Sequence, residues 1–345
     1  MKKILFAISD SFPYGAAYAA RTRALCKLFQ EAGYETDVLC DYICGDGETK
    51  EYGNIYAISK MPYVGIKKLL KLPHDYKRKL DKLLVERKYD YIVSRSMFDR
   101  FDKVFSVVRK HSIPLILESC EWYDVRGFKR GRFDIRYHQF RHCFRKTYNK
   151  VDGVIAISRF LEQHYRQYVK NVIRIPGIHD VERLSYRIDV TENKELNLIF
   201  GGSAIGGKEE FSSLLTALYQ VRNSKRKIFL HIYGASEKEV VNSLERKARQ
   251  IYGELKDVVI FHGRVPQERM AKVCMENDFG VFFRPDRRSS HAGFPTKLGE
   301  YLAAGTPVIT NDTGDITSVL ENGKNGYLLP DSRSETIRKA LEDCI

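Results

Sequence analysis

Several motifs that define large protein classes are missing from this 345-residue chain. The seven cysteines form no Cys-x-x-Cys pair and no zinc-finger spacing. The nine histidines show no ligand spacing, and no Asp-x-Asp pair, His-Glu-x-x-His sequence or EF-hand loop is present. These absences exclude a disulfide framework and lead us to expect no metal and no other cofactor. An odd number of scattered cysteines is typical of reduced thiols in a cytoplasm.

Long hydrophobic runs are missing as well. The longest apolar stretches, Ile4–Ile8, Ile113–Leu117 and Leu196–Phe200, have the length of a strand, whereas a membrane-spanning helix needs about 18 apolar residues. The first ten residues, MKKILFAISD, have a basic start but too short an apolar stretch for a secretory signal, and they predict a first buried strand. We therefore expect a cytoplasmic protein that reaches a membrane only peripherally, at its inner face.

The positive charge is concentrated in one segment. The chain has a net charge of +14, and residues 51–150 alone hold 24 basic and 11 acidic residues, a net charge of +13. Such a segment attracts nucleic acid, anionic lipid head groups or phosphorylated substrates, or it forms a solvated basic face. Composition does not decide among these alternatives.

Short strand-like runs alternate with helical patterns along nearly the whole chain. One series starts at Lys2 and a second at Leu196, and a polar stretch without clear periodicity separates them at residues 180–194. This alternation predicts an α/β protein with two doubly wound parallel sheets. We place the domains at residues 1–182 and 183–345. Ligands of such sheets bind at the carboxyl ends of the strands, so we expect the two sets of loops to face each other across a cleft.

A glycine-rich loop, GGSAIGGKEEF, follows the first strand of the second domain. Gly201 and Gly202 would let backbone amides approach a phosphate, and Lys208 would add a cation where the helix begins. A flexible turn is the alternative. The loop matches half of a P-loop, but Glu209 stands where a P-loop needs Ser or Thr for magnesium, which excludes a P-loop NTPase.

Two segments of the first domain could also form a site. Gly15 is the only glycine in YGAAYAARTRAL, so this segment is not the fingerprint of a nicotinamide enzyme. Its small residues allow either a bound ligand or close packing of helix on sheet. LILESCEWYDVRG places Glu118, Glu121, Trp122 and Asp124 after a buried strand, where loops carry function. Helix capping by the acids is the alternative.

The stretch GFPTKLGEYLAAGTPVIT predicts a loop, a helix and a strand. Pro295 suits the start of the helix and Gly305 its end. Thr296, Lys297 and Glu300 are three and four residues apart, so they are predicted to line one surface at the helix N-terminus. This arrangement is either a solvated helix end or an anion site.

These motifs together resemble those of GT-B glycosyltransferases, specifically the retaining family-four enzymes of polysaccharide assembly. The resemblance spans most of the chain, in order, through EWYD, VDGVIAISRFL, FGGS with Lys208, LHIYG, VIFHGRVPQERMAKVCMENDFGVFFRP and GFPTKLGEYLAAGTPVI. It implies a GT-B fold with an N-terminal acceptor-binding and a C-terminal nucleotide-sugar-binding domain, both Rossmann-like. It also implies metal-independent sugar transfer, with retention, from a nucleoside diphosphate sugar to a hydroxyl of a glycan or polyprenyl-linked acceptor.

The resemblance also assigns roles to individual residues. Glu121 and Lys208 would be catalytic, and Glu300 would bind the donor ribose. The remaining assignments are Gly201, Gly202, Ser203, Lys208, Thr296 and Lys297 for the diphosphate; Gly263, Arg264 and Val265 for the base; and Gly15, Ala16, His291, Gly293 and Phe294 for the donor sugar or acceptor. Ala292 departs from the family's E-x7-E pattern, because it stands where the first glutamate is expected.

The resemblance gives the chemistry a physical basis and leaves alternatives. Amides, a helix N-terminus and lysines would stabilise the charge that develops on the leaving diphosphate. Residues 63–84 mix apolar and basic side chains, which fits either an anionic membrane surface or an ordinary amphipathic helix. Ala292 leaves open a non-catalytic nucleotide-sugar-binding relative. Tyr and Arg between residues 123 and 148 could stack on bases, but no recognition motif is present and we expect no nucleic acid partner.

Overall fold

A computed structural model describes residues 1–15, 17–45, 50–178, 195–202 and 209–344. The chain divides into two compact units, Met1–His179 and Asp180–Ile345. The predicted domain boundary, between residues 182 and 183, lies outside the described residues. No helix in the described ranges is long and apolar enough to cross a membrane.

Within its described residues, the N-terminal unit has one parallel sheet. Its strands are β1 (Lys2–Ala7), β2 (Ser11–Pro13), β3 (Tyr34–Cys44), β4 (Ile55–Ser59), β5 (Tyr91–Arg95), β6 (Leu115–Ser119), β7 (Gly153–Ala156) and β8 (Val172–Arg174). Their order is β2-β3-β1-β5-β6-β7-β8, with β4 paired to β3. The helices are α1 (Ala17–Glu31), α2 (Gly65–Leu70), α3 (Leu72–Glu86), α4 (Phe101–Lys110), α5 (Ile135–His142) and α6 (Arg159–Tyr165).

The C-terminal unit, over its own described residues, is also doubly wound. Its strands are β9 (Glu195–Gly201), β10 (Lys227–Tyr233), β11 (Val259–Gly263), β12 (Phe279–Phe282), β13 (Val308–Asn311) and β14 (Gly326–Leu329). All pairs are parallel, in the order β11-β10-β9-β12-β13-β14. The helices are α7 (Phe211–Val221), α8 (Glu237–Ser243), α9 (Arg246–Tyr252), α10 (Gln267–Met275), α11 (Arg288–Ala292), α12 (Thr296–Ala303) and α13 (Ser334–Asp343).

The central strands are buried on both faces, which explains their almost continuous apolar sequences. Residues Ile4 to Ala7 of β1 and Leu198 to Gly201 of β9 are buried. Parallel strands covered by helices on both sides require this pattern. The fold prediction of two doubly wound Rossmann-like domains is therefore confirmed.

The strand order reverses once in each sheet. In the N-terminal unit the reversal lies between β1 and β5, and in the C-terminal unit it lies between β9 and β12. Chain connections leave in opposite directions at such a switch point, and the resulting crevice at the carboxyl ends of the strands is where doubly wound sheets bind ligands. Each unit therefore has one position at which its fold favours a site.

Helix α12 is held close to the C-terminal sheet by a tyrosine and a glycine. The ring of Tyr301 is fully buried and lies against Gly280 of β12. A Cβ atom at Gly280 would collide with this ring, so the close approach of α12 requires glycine there.

We predict that Gly280→Ala lowers the free energy of unfolding by about 1–3 kcal/mol, the usual cost of overpacking a core. Gly127→Ala is the control, because a Cβ at Gly127 meets no atom within 4 Å. Denaturant unfolding of both variants and the wild type measures the difference. Equal stability of Gly280→Ala and Gly127→Ala would show that Tyr301 can move away without loss.

Candidate functional site

The first turn of α12 is tied to the end of β9 at the switch point of the C-terminal unit. The hydroxyl of Tyr301 accepts a hydrogen bond of 2.6 Å from the amide of Gly201. Pro295 precedes the helix, and no side chain of a described residue caps it. The amide of Leu298 donates to the carbonyl of Pro295 at 3.1 Å, and the amides of Thr296 and Lys297 precede this bond as donors of the first turn, beside the carboxyl end of β9.

Glycines at the ends of three neighbouring strands bring backbone groups into close contact. The amide of Gly202 donates to the carbonyl of Tyr233 at 2.8 Å, and the amide of Gly234 donates to the carbonyl of Gly263 at 2.7 Å. Gly202, Gly234 and Gly263 have positive φ angles of 139°, 90° and 69°, a region that disfavours other residues. Residues predicted for the diphosphate and for the base thus lie at one edge of the sheet.

Lys297 forms a buried ion pair at this edge. Its Nζ lies 2.5 Å from Oε1 of Glu209, and the two side chains are only 10% and 6% exposed. The ammonium also lies 4.0 Å from the ring centroid of Phe200. Burial lowers the pKa of Lys297 because it disfavours the charged form, and Glu209 opposes this shift. The spacing predicted that Lys297 lines one surface with Thr296 and Glu300. The side chain of Lys297 is instead buried, and the carboxylate of Glu209 supplies its counter-charge.

Glu300 and Thr296 are half-buried. Burial raises the pKa of Glu300, and the positive charge of Lys297 acts against this rise. A half-buried carboxylate one turn from the N-terminus of α12 can accept hydrogen bonds from hydroxyl groups of a ligand. The structure brings Glu300, Lys297 and Gly201 to the same switch point.

The segment before α12 is held by His291 of α11. Its Nδ1 accepts the amide of Gly314 at 3.1 Å, and its Nε2 lies 2.6 Å from Oδ1 of Asp286. In the tautomer in which Nδ1 accepts, Nε2 carries the ring hydrogen and donates to Asp286. Ala292, where the family pattern has a glutamate, is completely buried. Among the residues predicted for the donor sugar, Gly293 is half-buried, whereas Phe294 is buried and cannot present its ring to a ligand without rearrangement.

Glu118 of the N-terminal unit is part of a buried network. Its Oε1 accepts from Nε of Arg21 at 2.6 Å and from the thiol of Cys120 at 3.0 Å. Arg21 also donates to the carbonyls of Ile175 and Pro176. Burial acts to raise the pKa of Glu118, but Arg21 and Arg95 outweigh it and the pKa is lowered. The carboxylate is fully used in joining α1, β6 and the end of β8, so Glu118 is structural and not a free acid of the site.

Glu121 lies at the switch point of the N-terminal unit, half-buried beside two tyrosines. Burial, together with interaction with Glu121, raises the pKa of both Tyr18 and Tyr123, and this interaction places their hydroxyls within reach of its carboxylate. Both tyrosines line a cavity of about 180 Å³ at the carboxyl ends of β1 and β5. Its lining also includes Ser9, Asp10, Lys68, Arg95, Ser96 and Asp99. By contrast, Trp122 packs edge-on against Phe144, with 4.3 Å between ring centroids, and so belongs to an aromatic cluster.

Arg95 is a residue of this cavity that sequence reasoning did not identify. It ends β5, is 5% exposed, and stacks its guanidinium on the ring of Tyr18. Its Nη2 is buried without a hydrogen-bond partner among the described residues. The available signal was an arginine at the end of the otherwise apolar strand YIVSR.

The remaining predicted residues divide into two groups. Ala16, Ser203 and Lys208 lie outside the described residues. Arg264 is exposed and Val265 is half-buried in the loop after β11, and Gly15 precedes α1. None of these positions is contradicted, and their roles stay predictions.

Two family models match the chain one after the other. The model described as Glycosyltransferase Family 4 matches residues 19–183. The model described as Glycosyl transferases group 1 matches residues 195–345. Between them they leave only the first residues and a short linking stretch unmatched.

Curated relatives match over part of their length. The chain is 26% identical over 205 residues to the phosphatidyl-myo-inositol mannosyltransferase of Mycobacterium leprae, covering 59% of this chain and 52% of that protein. It is 28% identical over 92 residues to the amylovoran biosynthesis glycosyltransferase AmsK of Erwinia amylovora, covering 26% of this chain and 22% of that protein. The matched stretch thus spans about half of the first relative and less of the second.

Solved structures match along nearly the whole chain. Sucrose-phosphate synthase from Thermosynechococcus elongatus has a TM-score of 0.71 at 15% identity, covering 99% of this chain and 89% of that one. Anabaena HepE in complex with UDP and glucose has a TM-score of 0.68 at 15% identity, covering 100% of this chain and 90% of that one. At such identities the likeness shows the fold.

Two doubly wound units, each with polar groups gathered at its switch point, define a protein of the GT-B class. The consecutive family matches then give its place within that class. The chain belongs to the GT-B glycosyltransferases of the family-four-like kind, as the resemblance of its motifs predicted.

We predict that Glu300→Gln stabilises the free protein at pH 7 by about 0.5–2 kcal/mol, a usual gain when a functional group that opposes folding is replaced. The native pKa of Glu300 is raised above the unfolded value near 4.5. Its penalty is therefore absent below pH 4.5, grows as the pH rises from there to the native pKa, and is complete above it. The difference between variant and wild type should shrink from pH 8 to pH 5 in denaturant unfolding. Glu321→Gln, at an exposed position, is the control, and a pH-independent difference for Glu300→Gln would contradict the prediction.

Proposed function

We propose that the chain transfers a sugar from a nucleoside diphosphate sugar to a hydroxyl of a glycan or lipid-linked glycan. One observation carries the proposal: at the C-terminal switch point, Tyr301 holds the uncapped start of α12, with Lys297 and Glu300, against Gly201 and the end of β9. This arrangement offers amides and a cation to a diphosphate and a carboxylate to a ribose, in a chain of a glycosyltransferase family.

The charge that moves during the reaction explains why these groups are needed. Cleavage of the bond between the anomeric carbon and phosphate leaves negative charge on the diphosphate and positive charge on the sugar. The amides at the start of α12 and Lys297 would stabilise the leaving group, and each such donor contributes roughly 2.7–4 kcal/mol to lowering a barrier. Glu300 would accept hydrogen bonds from the ribose hydroxyls. Metal independence and retention of configuration rest on the sequence motifs and the family resemblance, and both belong to the proposal.

The acceptor would bind in the N-terminal unit, in the cavity beside Glu121. Its lining combines carboxylates, hydroxyls and aromatic rings, a mixture that suits the hydroxyl and C–H groups of a sugar. The carboxylate of Glu121, which interacts with Tyr18 and Tyr123, would position the acceptor hydroxyl or stabilise the sugar cation. Arg95 would be available to donate to an acceptor oxygen after a small movement of Tyr18.

Ala292 favours a second candidate, a relative that binds nucleotide sugars without turning them over. The position is completely buried, so no side chain reaches the donor sugar from the place where the family has a glutamate. The two candidates share the donor site and differ only in catalysis.

We predict that UDP or GDP binds the wild-type protein and that Glu300→Ala weakens this binding. The expected loss is about 10–100-fold, because the variant removes the hydrogen bonds between a charged carboxylate and the ribose. The 2′,3′-dideoxy form of the same nucleotide, which lacks both ribose hydroxyls, should bind the wild type more weakly and be nearly unaffected by Glu300→Ala. Isothermal titration calorimetry measures both, with Glu321→Ala as the control. Equal loss for both nucleotides would remove Glu300 from the ribose site.

Donor hydrolysis without acceptor separates the two candidates. The wild type is incubated with a panel of UDP- and GDP-sugars and released nucleotide is measured. Slow hydrolysis of a donor that binds supports the transferase, and binding without any release supports the non-catalytic relative.

We also propose that α2 places the protein on an anionic membrane surface. Its apolar side chains Ile66, Leu69 and Leu70 are 73%, 43% and 62% exposed, and Lys67 and Lys68 lie between them. An exposed helix that combines apolar and basic residues is typical of interfacial binding. The rest of the predicted segment behaves differently, since the apolar side of α3 is buried. The alternative of an ordinary amphipathic helix therefore applies to α3.

Replacing Lys67 and Lys71, which are both exposed, by Gln should lower binding to vesicles with anionic phospholipid roughly 30-fold, since each lysine near such a surface contributes about 1 kcal/mol. Cosedimentation with anionic and with neutral vesicles measures the effect. Replacing Lys77 and Lys79 of α3, which are exposed, removes the same charge and should have little effect. Equal losses for the two double variants would mean that α2 is not the docking element.

A further inference from the structure

We infer that Glu209 occupies the electrostatic place of the donor diphosphate in the free protein and gives up Lys297 when the donor binds. The inference rests on the proposed donor site and adds a regulating residue to it. It makes donor binding an exchange of partners at Lys297.

The Glu209–Lys297 pair has the geometry expected if the carboxylate takes the place of a phosphate group. Glu209 precedes the N-terminus of α7, and Lys297 lies in the first turn of α12, 88 residues away. Their contact of 2.5 Å is shielded from water by the burial of both side chains. A carboxylate oxygen at this distance from an ammonium has the charge and hydrogen-bonding character of a phosphate oxygen.

One carboxylate oxygen of Glu209 lacks the hydrogen bond that a purely structural ion pair would provide. Oε2 is buried and has no hydrogen-bond partner among the described residues. A buried unsatisfied oxygen is costly, and a buried ion pair is compensated only when its remaining acceptors are bonded. The Arg21–Glu118 pair of the N-terminal unit shows the structural alternative, because Arg21 there spreads its donors over a carboxylate and two carbonyls.

The charged groups around Lys297 create a competition for its ammonium. Among the described residues, Lys297 interacts with Glu209 and Glu300 as negative groups and with Arg284 as a second positive group. A diphosphate would add further negative charge and compete with these carboxylates for Lys297. Glu300 has a proposed role with the ribose, which leaves Glu209 as the group released.

The backbone on the C-terminal side of Glu209 is anchored, so we expect its release to be a movement of the side chain. The amide of Glu210 donates to the carbonyl of Phe283 at 2.8 Å, which joins this segment to the end of β12. Glu209 can therefore rotate away from Lys297 while α7 and β12 stay in place.

The test is Glu209→Gln, which keeps the size of the side chain and removes its charge. Calorimetry measures binding of UDP, GDP, inorganic pyrophosphate, uridine and guanosine to wild type and variant. We expect the variant to bind the tighter of the two nucleotides, and pyrophosphate, at least 10-fold more tightly than the wild type, with no gain for either nucleoside. Glu210→Gln removes the same charge one residue further on and should leave all affinities unchanged. A general structural defect at Glu209 would weaken binding, so a gain confined to diphosphates is specific to the exchange.

Equal or weaker diphosphate binding by Glu209→Gln, in a wild type that binds UDP or GDP, would overturn the inference and leave the donor site standing. Failure of the wild type and the variant to bind any diphosphate would overturn the donor site and this inference together. If Glu209→Gln does not fold, Glu209→Asp takes its place, because it keeps the charge and shortens the reach toward Lys297. Tighter diphosphate binding by Glu209→Asp supports the exchange, and unchanged or weaker binding overturns it.

Discussion

The contact of Tyr301 with two neighbouring strands is the constraint on which the proposed donor site depends. The ring fits against Gly280 of β12 and the hydroxyl accepts the amide of Gly201 in β9, so one side chain spans the switch point of the sheet. Without it, the start of α12 would have no fixed distance from the glycines at the strand ends. Lys297 and Glu300 lie within about one helical turn of Tyr301, so the contacts of Tyr301 also determine where these two residues lie.

Both units bury charge near the carboxyl ends of their strands, but they differ in how completely the charges are satisfied. Arg21 with Glu118 and Arg100 with Asp41 are close pairs with additional partners. Glu209 and Arg95 each keep a buried atom without a hydrogen bond among the described residues. Such atoms oppose folding, and both lie at switch points, where doubly wound folds bind ligands. The Nε of Arg226, at the amino end of β10, is also buried without a partner among the described residues, so an unsatisfied charge indicates a ligand only in combination with its place at a switch point.

The sequence was sufficient for the fold and for the strand-end positions of several residues that it predicted for donor binding. Buried parallel strands have nearly continuous apolar sequences, and glycines mark the strand ends, so both sheets and the positions of Gly201, Gly202 and Gly263 followed from local pattern. The pairing of Glu209 with Lys297 did not, because 88 residues separate them and nothing local shows that they meet. Glu118 and Glu121 illustrate the same limit. They are three residues apart, the first within β6 and the second just after it, yet Arg21 engages the first and two tyrosines interact with the second.

Helices α2 and α3 show why an amphipathic pattern alone cannot identify a membrane-binding surface. Both mix leucine with lysine, and they are consecutive in the chain. Tyr76 of α3 donates to the carbonyls of Ile8 and Leu39, which fixes the apolar side of α3 against β1 and β3 and leaves its lysines in water. Helix α2 has no buried residue, so its apolar side chains remain exposed beside Lys67 and Lys68. The same composition therefore supports packing in one helix and an interaction surface in the next, and tertiary contacts decide which.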